Sequence, residues 1–281
     1  MSSEAATGIG APLRRREDSR LLRGQGEYSD DINLPGQLYA AMVRSPHAHA
    51  TLEGVDASAA ADMPDVLAVL TGDDYSADGY GDLGHGANPA GAVDWQNPAF
   101  VNRDGSVPFD AQQRPIIRDR VRHGGEIVAV VIAESPARAR DAAEKVVVDY
   151  SPLPVVTDAM AALEPGAPEI WENCPGNTPL DAEQGDRASV DAVFAYSAHV
   201  VEARFLNNRV INCQMEPRAS IGDWDSAAGR LTLHAGGQGV QGLADHRADG
   251  PRAAGAASGA AAPRTPPTPR GTARRAGRSG R

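Results

Sequence analysis

The fold is decided by residues 126–150, which read EIVAVVIAESPARARDAAEKVVVDY. The apolar run EIVAVVIA is rich in β-branched side chains, which predicts a buried strand. Ser135 and Pro136 follow as an N-cap and first-turn pair, so the segment PARARDAAEK is expected to be a helix. VVVDY at 146–150 predicts the next strand. Strand, helix and strand in this order favour a right-handed crossover that joins a parallel pair.

The segment before this run supplies further predicted strands. QLYAAMVR at 37–44 follows the turn signal Leu-Pro-Gly, and residues 50–55 are predicted to be its partner strand. VLAVL at 66–70 has the composition of a compact buried strand. Residues 56–61 are expected to form a short helix capped by Asp56. Together these elements predict a mixed α/β unit.

The remaining part of the chain is less regular. The polar stretch 73–119 exceeds the usual length of a loop, which indicates an insertion that serves a function or faces a partner. Residues 151–180 are rich in proline and are interpreted as a linker. AHVVEARF at 198–205 alternates as a strand should, and residues 219–225 and 230–234 predict a hairpin.

The composition of the chain changes after Leu243. The residues from 244 to 281 include eight Arg and two Asp but no Val, Ile, Leu, Met, Phe, Tyr, Trp, Cys, Lys, Glu, Asn or Gln. This restricted set is typical of a GC-rich gene read in a shifted frame. A segment without large apolar side chains is expected to be disordered. The whole chain carries a net charge of −10, so the part before the break is acidic, which argues against nucleic acid as a partner.

Cysteine content and hydropathy indicate a soluble protein of the cytoplasm. Cys174 and Cys213 are the two cysteines of the chain, too few for a disulfide framework or a tetrahedral zinc site. No apolar run approaches the roughly 18 residues that span a bilayer. The N-terminal residues have no hydrophobic segment after their basic cluster, so no signal peptide is expected.

Two glycine motifs are candidate phosphate-binding sites. Gly237, Gly239 and Gly242 match the G-x-G-x-x-G pattern directly after the segment RLTLH. A dinucleotide site also needs a helix and an acidic residue about 20 positions further on, and here the aberrant segment follows instead. A second match, GYGDLG at 79–84, has no preceding strand. Neither match is therefore interpreted as a dinucleotide site.

Other polar residues have both a functional and a structural interpretation. His47 and His49 have a spacing that suits metal ligation from one face of a strand, but loop histidines that hydrogen-bond the backbone have the same spacing. His123 with Glu126 is interpreted as a turn rather than an acid–base pair. The pair at 30–31, both Asp, is interpreted as a solvated turn. No Ser or Cys lies in a nucleophile elbow.

The longest ordered runs are long enough to be specific for a family. They read YSDDINLPGQLYAAMVRSPHAHATLEGVDASAA at 28–60, MPDVLAVLTGDD at 63–74 and VRHGGEIVAVVIAESPARARDAAEKVVVDYSPLPVV at 121–156. These segments resemble the large subunit of the molybdenum hydroxylases, the family of xanthine dehydrogenase, aldehyde oxidase and aerobic carbon monoxide dehydrogenase. PLRRREDSRLLRGQGEY at 12–28 is most similar to the branch with separate subunits, that of carbon monoxide dehydrogenase. The resemblance covers roughly residues 13–243 in collinear order.

The resemblance implies an α/β (α+β) fold, with an α/β hammerhead domain followed by the truncated start of a molybdopterin-binding domain. An irregular N-terminal arm would cover residues 1–20 and the hammerhead domain residues 21–155. The molybdopterin-binding domain would begin at 156 and extend to 243. Residues 244–281 would form the aberrant basic tail.

The resemblance also implies where a cofactor would bind. In this family a Gln after the strand that matches LTLHAGG approaches the oxo group of the molybdenum centre. Gln238 occupies that place, with Gly237 beside it. The motif Met-Glu-Pro-Arg at 215–218 matches a segment for which we expect a structural role. The Gly-rich Phe loop and the Glu base of the family have no match here, so we assign no catalytic residue and no metal ligand.

The implied function is that of an N-terminal fragment of a molybdenum hydroxylase large subunit, an oxidoreductase that we expect to be inactive alone. The intact enzyme would bind molybdopterin cytosine dinucleotide, which this chain is not expected to retain. It would hydroxylate a carbon centre and pass electrons to iron–sulfur and FAD subunits. The substrate stays open between carbon monoxide, an aldehyde and an N-heterocycle. The alternative hypothesis is a non-catalytic hammerhead module that binds partner subunits.

Overall fold

The computed structural model describes residues 15–84, 86–88, 99–208 and 210–237. The predicted basic tail at 244–281 lies outside these residues. None of the described helices is long and apolar enough to cross a membrane. The helices are α1 (Asp18–Leu21), α2 (Ser58–Ala61), α3 (Gly72–Ala77), α4 (Pro136–Ala143) and α5 (Arg187–Tyr196). The strands are β1 (Tyr39–Arg44), β2 (Ala50–Asp56), β3 (Val66–Thr71), β4 (Arg120–Val121), β5 (Ile127–Ala133), β6 (Val147–Pro152), β7 (Ser220–Asp225) and β8 (Arg230–Ala235).

The described residues divide into two compact units. The larger unit is Ile32–Met215 and contains β1 to β6 with α2 to α5. The smaller unit joins residues 15–31 to Glu216–Gly237, and so contains α1 and the β7–β8 hairpin. The expected domain limits at 20/21 and 155/156 differ from this division and stay predictions.

β5 is the central strand of the first sheet, whose order is β1-β5-β3. Both neighbours run antiparallel to it, with Tyr39 opposite Ala133 and Leu70 opposite Val130. Val128 and Val131 are fully buried, with relative exposures of 0%. A strand that is covered at both edges and on both faces needs a nearly continuous apolar sequence. This explains why EIVAVVIA carries so few polar residues.

The predicted parallel pair is wrong, because β6 lies in a different sheet from β5. The second sheet has the order β4-β2-β6, and β6 runs antiparallel to β2 with Val148 opposite Val55. Both edges of β5 are already occupied by β1 and β3. The strand that follows α4 therefore has no free edge to join in the first sheet. α4 connects two sheets instead of two neighbouring strands. The predicted pairing of 37–44 with 50–55 is also wrong, because β1 lies in the first sheet and β2 in the second.

The apolar core of the larger unit lies on both faces of the first sheet. Val128 packs with Ala50 and Val121 of the second sheet in one cluster. Val131 packs with Ala60 of α2 and Ala142 of α4 in the other. Because side chains alternate along a strand, Val128 and Val131 point to opposite faces of β5. The unit is therefore built in three layers, with helices, first sheet and second sheet in that order.

The predicted N-terminus of α4 is confirmed. Ser135 is the N-cap, its Oγ accepts a hydrogen bond from the backbone N–H of Arg138 at 3.3 Å, and Pro136 is the first helical residue. Ala139 and Ala142 are buried against the first sheet. These small side chains allow the helix to lie close to the strands, and the cap contributes about 1 kcal/mol to helix stability.

The prediction of a strand at 198–205 is wrong. The structure has no strand in this segment, and α5 precedes it at a place where the sequence predicted no helix. Asp186 caps α5 by accepting a hydrogen bond from the backbone N–H of Ser189 at 3.1 Å. Alternation alone does not make a strand, because the backbone groups also need a neighbouring strand to pair with.

Residues 151–180 are not a free linker, because they pack against the second half of the polar stretch. The rings of Trp171 and Phe109 meet edge to face with centroids 5.6 Å apart. Arg103 also pairs with Asp181 just beyond this segment, at 2.7 Å. Cys174 is buried. The proline-rich composition therefore indicates irregular backbone here, not a lack of packing.

Candidate functional site

The β7–β8 hairpin leads into the predicted cofactor segment, and it forms as the sequence predicts. Ser220 lies opposite Ala235 and Asp225 opposite Arg230, in an unbroken antiparallel register. Asp225 closes the turn, because its Oδ1 accepts hydrogen bonds from the backbone N–H groups of Ala227 and Ala228 at 2.9 and 3.0 Å. The end of β8 is thus fixed relative to β7.

Glu216, Ser29 and Gly236 meet at the end of the hairpin. Glu216 Oε1 accepts hydrogen bonds from the backbone N–H of Ser29 at 3.1 Å and from its Oγ at 3.2 Å. A Cβ on Gly236 would lie 3.1 Å from Glu216 Oε1 and 3.2 Å from Ser29 Oγ. Glycine therefore lets the strand end approach this contact closely, since a side chain here would press on both oxygens. The Met-Glu-Pro-Arg motif takes a structural part here through its glutamate.

The short turn that carries Ser29 is itself held by local hydrogen bonds. Ser29 begins a 3₁₀ helix that ends at Asp31, and Ser29 is buried. Asp31 Oδ2 accepts a hydrogen bond from the backbone N–H of Tyr28 at 2.8 Å. The predicted solvated turn at 30–31 is therefore a turn, and it holds the donor that Glu216 binds.

Of the two residues assigned to the cofactor, Gly237 belongs to the described part of the chain and Gln238 does not. Gly237 is exposed and follows Gly236 directly. Gln238 lies outside the described residues, as do Gly239 and Gly242 of the glycine motif. Their roles stay predictions that rest on the position of the hairpin end.

The residues around this hairpin end do not by themselves fit a complete cofactor site. Within the described part of the chain, no group of three or more His, Cys, Asp or Glu side chains could hold a metal ion. The Glu216 carboxylate is already bound to Ser29. A pterin cofactor needs donors from several segments on a preorganised shell, and no reaction step through such a group follows from these residues.

The histidines at 47 and 49 do not converge as ligands. His49 is buried, and its Nδ1 lies 2.6 Å from the carbonyl oxygen of Pro154. The ring of His47 lies against Tyr150, with centroids 4.7 Å apart. The structural interpretation, in which a loop histidine bonds the backbone, therefore holds for His49.

The other sequence motifs also have structural roles. Glu126 Oε2 accepts hydrogen bonds from the backbone N–H groups of Arg122 and His123, as a turn requires. In the second glycine motif, Asp82 Oδ1 lies 2.7 Å from Arg114 Nε, and Leu83 pairs with Gln113 as an isolated β-bridge. His123 Nδ1 lies 3.4 Å from Glu126 Oε1, so these two side chains also meet within the turn, whereas the Asp82 carboxylate is held by Arg114.

The contact between Ser29 and Glu216 was not predicted, since it joins residues that are 187 positions apart. A weak signal was present in the sequence. Two glycines follow directly after the segment RLTLHA, and glycine at a strand end is a mark of close backbone approach.

Family profiles match the chain in two consecutive parts. The a/b hammerhead domain of aldehyde oxidase and xanthine dehydrogenase matches residues 23–93 and 90–154. The molybdopterin cofactor-binding domain matches residues 170–250. Both matches agree in order with the predicted resemblance.

Curated relatives and solved structures give the same result. The nicotine 6-hydroxylase large subunit of Paenarthrobacter nicotinovorans is 36% identical over 227 residues, which cover 80% of this chain and 25% of the relative. The carbon monoxide dehydrogenase large chain of Afipia carboxidovorans is 35% identical over 243 residues, with coverages of 82% and 27%. The crystal structure of Cu,Mo-CO dehydrogenase in its carbon monoxide reduced state matches with a TM-score of 0.64 and 32% identity, over 82% of this chain and 28% of that one. Quinoline 2-oxidoreductase from Pseudomonas putida 86 matches with a TM-score of 0.63 and 32% identity, over 80% of this chain and 26% of that one.

A hammerhead domain followed by a molybdopterin-binding segment defines a class, the molybdopterin-dependent oxidoreductases. Within that class, the chain belongs to the family of molybdenum hydroxylase large subunits, which includes those of carbon monoxide dehydrogenase and xanthine dehydrogenase. The chain spans about a quarter of the length of the curated relatives it matches.

Proposed function

We propose that residues 15–237 are the N-terminal part of a molybdenum hydroxylase large subunit whose complete form hydroxylates a carbon centre of a small substrate. The observation that carries this proposal is the collinear match of the hammerhead and molybdopterin-binding domains. Relatives named for nicotine and carbon monoxide support an N-heterocycle or carbon monoxide as the substrate class.

The proposed role of the described residues is to position the segment that meets the cofactor. Glu216 binds Ser29, and Gly236 packs against both. Gln238 follows two residues later and would direct its amide towards the molybdenum centre, with Gly237 beside it. A single neutral hydrogen bond contributes only about 0.5–1.5 kcal/mol net. A contribution of this size is enough to orient the cofactor but not to retain it. Retention of the cofactor therefore depends on other segments of the complete subunit.

The proposed cofactor is molybdopterin cytosine dinucleotide, bound in the complete subunit and not retained by the 281-residue chain alone. When bound, that group supplies the redox chemistry of the hydroxylation. The proposed partners are an iron–sulfur subunit and an FAD subunit, and the proposed location is the cytoplasm. One relative is named as a subunit of a dehydrogenase complex, which supports an assembly of several chains.

A second candidate function is a hammerhead module that binds partner subunits without catalysis. It is favoured by the position of the two apolar clusters, which both lie in the unit Ile32–Met215. Such a unit has the core that it needs to fold on its own. The first function requires that the shifted reading frame downstream encodes the rest of the cofactor site. The second function does not.

The test compares the chain with a version whose reading frame is shifted by one base after codon 243. Both are expressed in a host that makes the molybdenum cofactor, and the molybdenum content of each purified protein is measured. We expect a content far below one atom per chain for the first and close to one for the second, which should also reduce a dye with its substrate. Gln238→Ala in the second version should lower the activity while the hammerhead keeps its melting temperature.

Two outcomes would count against this function. Stoichiometric molybdenum in the 281-residue chain itself would show that the described part is sufficient for retention. A shifted frame that encodes no Gly-rich Phe loop and no late Glu, together with capture of a partner subunit by the chain, would favour the second candidate.

A further inference from the structure

A cleft in the larger unit is lined by an unusual number of arginines. Its volume is about 160 Å³, which is enough for a small organic or inorganic ion. Arg114, Arg118, Arg120 and Arg122 contribute to its wall, and Trp171 forms part of one side.

Three of the four arginines are neutralised by carboxylates. Arg114 Nε lies 2.7 Å from Asp82 Oδ1, and Arg120 Nη1 lies 2.6 Å from Glu172 Oε1. The third, Arg118, lies 2.6 Å from Asp73. These pairs hold the wall of the cleft in place and leave little free charge on it.

Arg122 is different, because it forms no ion pair with any residue that the structure describes. Its guanidinium stacks on Trp171, with the Cζ atom 4.1 Å from the ring centroid. Its Nε is buried and has no hydrogen-bond partner within the described residues. Glu126 is close, but its carboxylate accepts the backbone N–H groups of Arg122 and His123. Asp119 also lines the cleft and acts on Arg122 only through its longer-range charge.

The position of Arg122 is costly for the protein as described. Burial lowers the pKa of Arg122 from its ordinary value, because the charged form loses solvation. A buried donor without a partner carries a further desolvation cost. A ligand that accepts hydrogen bonds from this guanidinium would offset both costs, because it supplies the missing partner and, if it is an anion, favours the charged form.

We propose that this cleft binds a small oxyanion, a phosphate or carboxylate group, on the Arg122 guanidinium. A planar guanidinium binds such groups through two parallel hydrogen bonds, and stacking on Trp171 fixes its plane in advance. With the other three arginines paired, Asp119 and Glu126 outnumber Arg122 in the cleft. A bound anion would therefore be held by direct hydrogen bonds to the guanidinium and not by a positive field, which excludes an extended polyanion. This site is independent of the proposed hydroxylase function.

The test is calorimetric titration of the full 281-residue chain with inorganic phosphate and, separately, with acetate at constant ionic strength. Wild-type protein should bind at least one of them saturably, and Arg122→Gln should weaken that binding about tenfold or more. Tighter binding of phosphate identifies a phosphate ligand, and equal or tighter binding of acetate identifies a carboxylate. The matched control is Arg187→Gln, which removes an exposed arginine paired with Glu183 outside the cleft. It should leave the affinity unchanged.

A second variant separates loss of binding from loss of the fold. Arg122→Lys keeps the positive charge but loses the planar fork, so it should bind the anion more weakly while its melting temperature stays close to that of the wild type. The proposal is overturned if the wild type shows no saturable binding. It is overturned equally if Arg122→Lys binds as the wild type does, or if Arg187→Gln weakens binding as much as Arg122→Gln.

Discussion

Gly72 lies at a position where the backbone leaves no room for a side chain. It is the first residue of α3, and a Cβ there would overlap the carbonyl group of Ile117. The backbone on one side is fixed by the capping box, in which the N–H and Oγ1 of Thr71 donate to Asp74 Oδ2 at 2.8 and 2.7 Å. Ile117 is buried in the cluster between the two sheets, so neither partner can move away easily.

Gly72→Ala should therefore lower the free energy of unfolding by about 1–3 kcal/mol, as expected for overpacking. The measurement is urea denaturation followed by circular dichroism. The control is Gly124→Ala, since nothing lies within 4 Å of a Cβ at Gly124. Equal stability of the two variants would contradict the close approach of Ile117.

At the level of secondary structure, β5 is the element on which the larger unit depends. It pairs with β1 and β3 along most of its length and contributes to both apolar clusters. The β7–β8 hairpin is a two-stranded sheet with mostly exposed residues. Isolated two-stranded sheets are marginally stable in water.

Backbone amides of Ile127–Ala133 should accordingly exchange with deuterium more slowly than those of the β7–β8 hairpin. Opening β5 requires loss of two strand pairings and both clusters, whereas the hairpin can open by losing one pairing. Exchange measured by mass spectrometry after peptic digestion resolves the two regions. Comparable rates in β5 and in the hairpin would show that β5 is not the most stable element.

The same elements show what the sequence can predict and what it cannot. The strands at 37–44, 50–55, 66–70, 126–133 and 146–150 and the cap at Ser135 were predictable, since apolar runs and cap residues are local signals. The predicted cap at Asp56 is wrong, because the N-cap of α2 is Ala57. The partner of the strand at 146–150 was not predictable from the sequence, because pairing depends on which sheet edges are already paired with other strands. The failure at 198–205 has a related cause, since the alternating pattern describes one strand and says nothing of a neighbour. Glu216 and Ser29 escaped prediction because no local pattern links residues so far apart.

The larger unit contains one long region whose side chains are not packed against the rest of the unit. Residues 198–215 form neither helix nor strand where the structure describes them, and their apolar side chains are exposed. Phe205 has a relative exposure of 89% and Leu206 of 72%. Residues of this kind are accessible to a protease without prior unfolding.

Chymotrypsin should therefore cut first near Phe205 and Leu206, before any cut within β5. Limited digestion followed by mass spectrometry identifies the first site. The double substitution Phe205→Ser and Leu206→Ser should slow that cut and leave the melting temperature unchanged, because these side chains contribute little to packing. A first cut within residues 120–152 would indicate that the layers of helices and sheets open more easily than residues 198–215.

The central place of β5 has a consequence for how the protein is made on the ribosome. β1 and β3 are synthesised before β5, yet neither pairs with the other in the finished sheet. About 60 residues separate the end of β3 from the end of β5, which corresponds to roughly 3–12 s of translation at ~5–20 residues per second. During that interval the nascent VLAVL segment has no native partner strand among the described elements, so it is exposed to aggregation until β5 has been made.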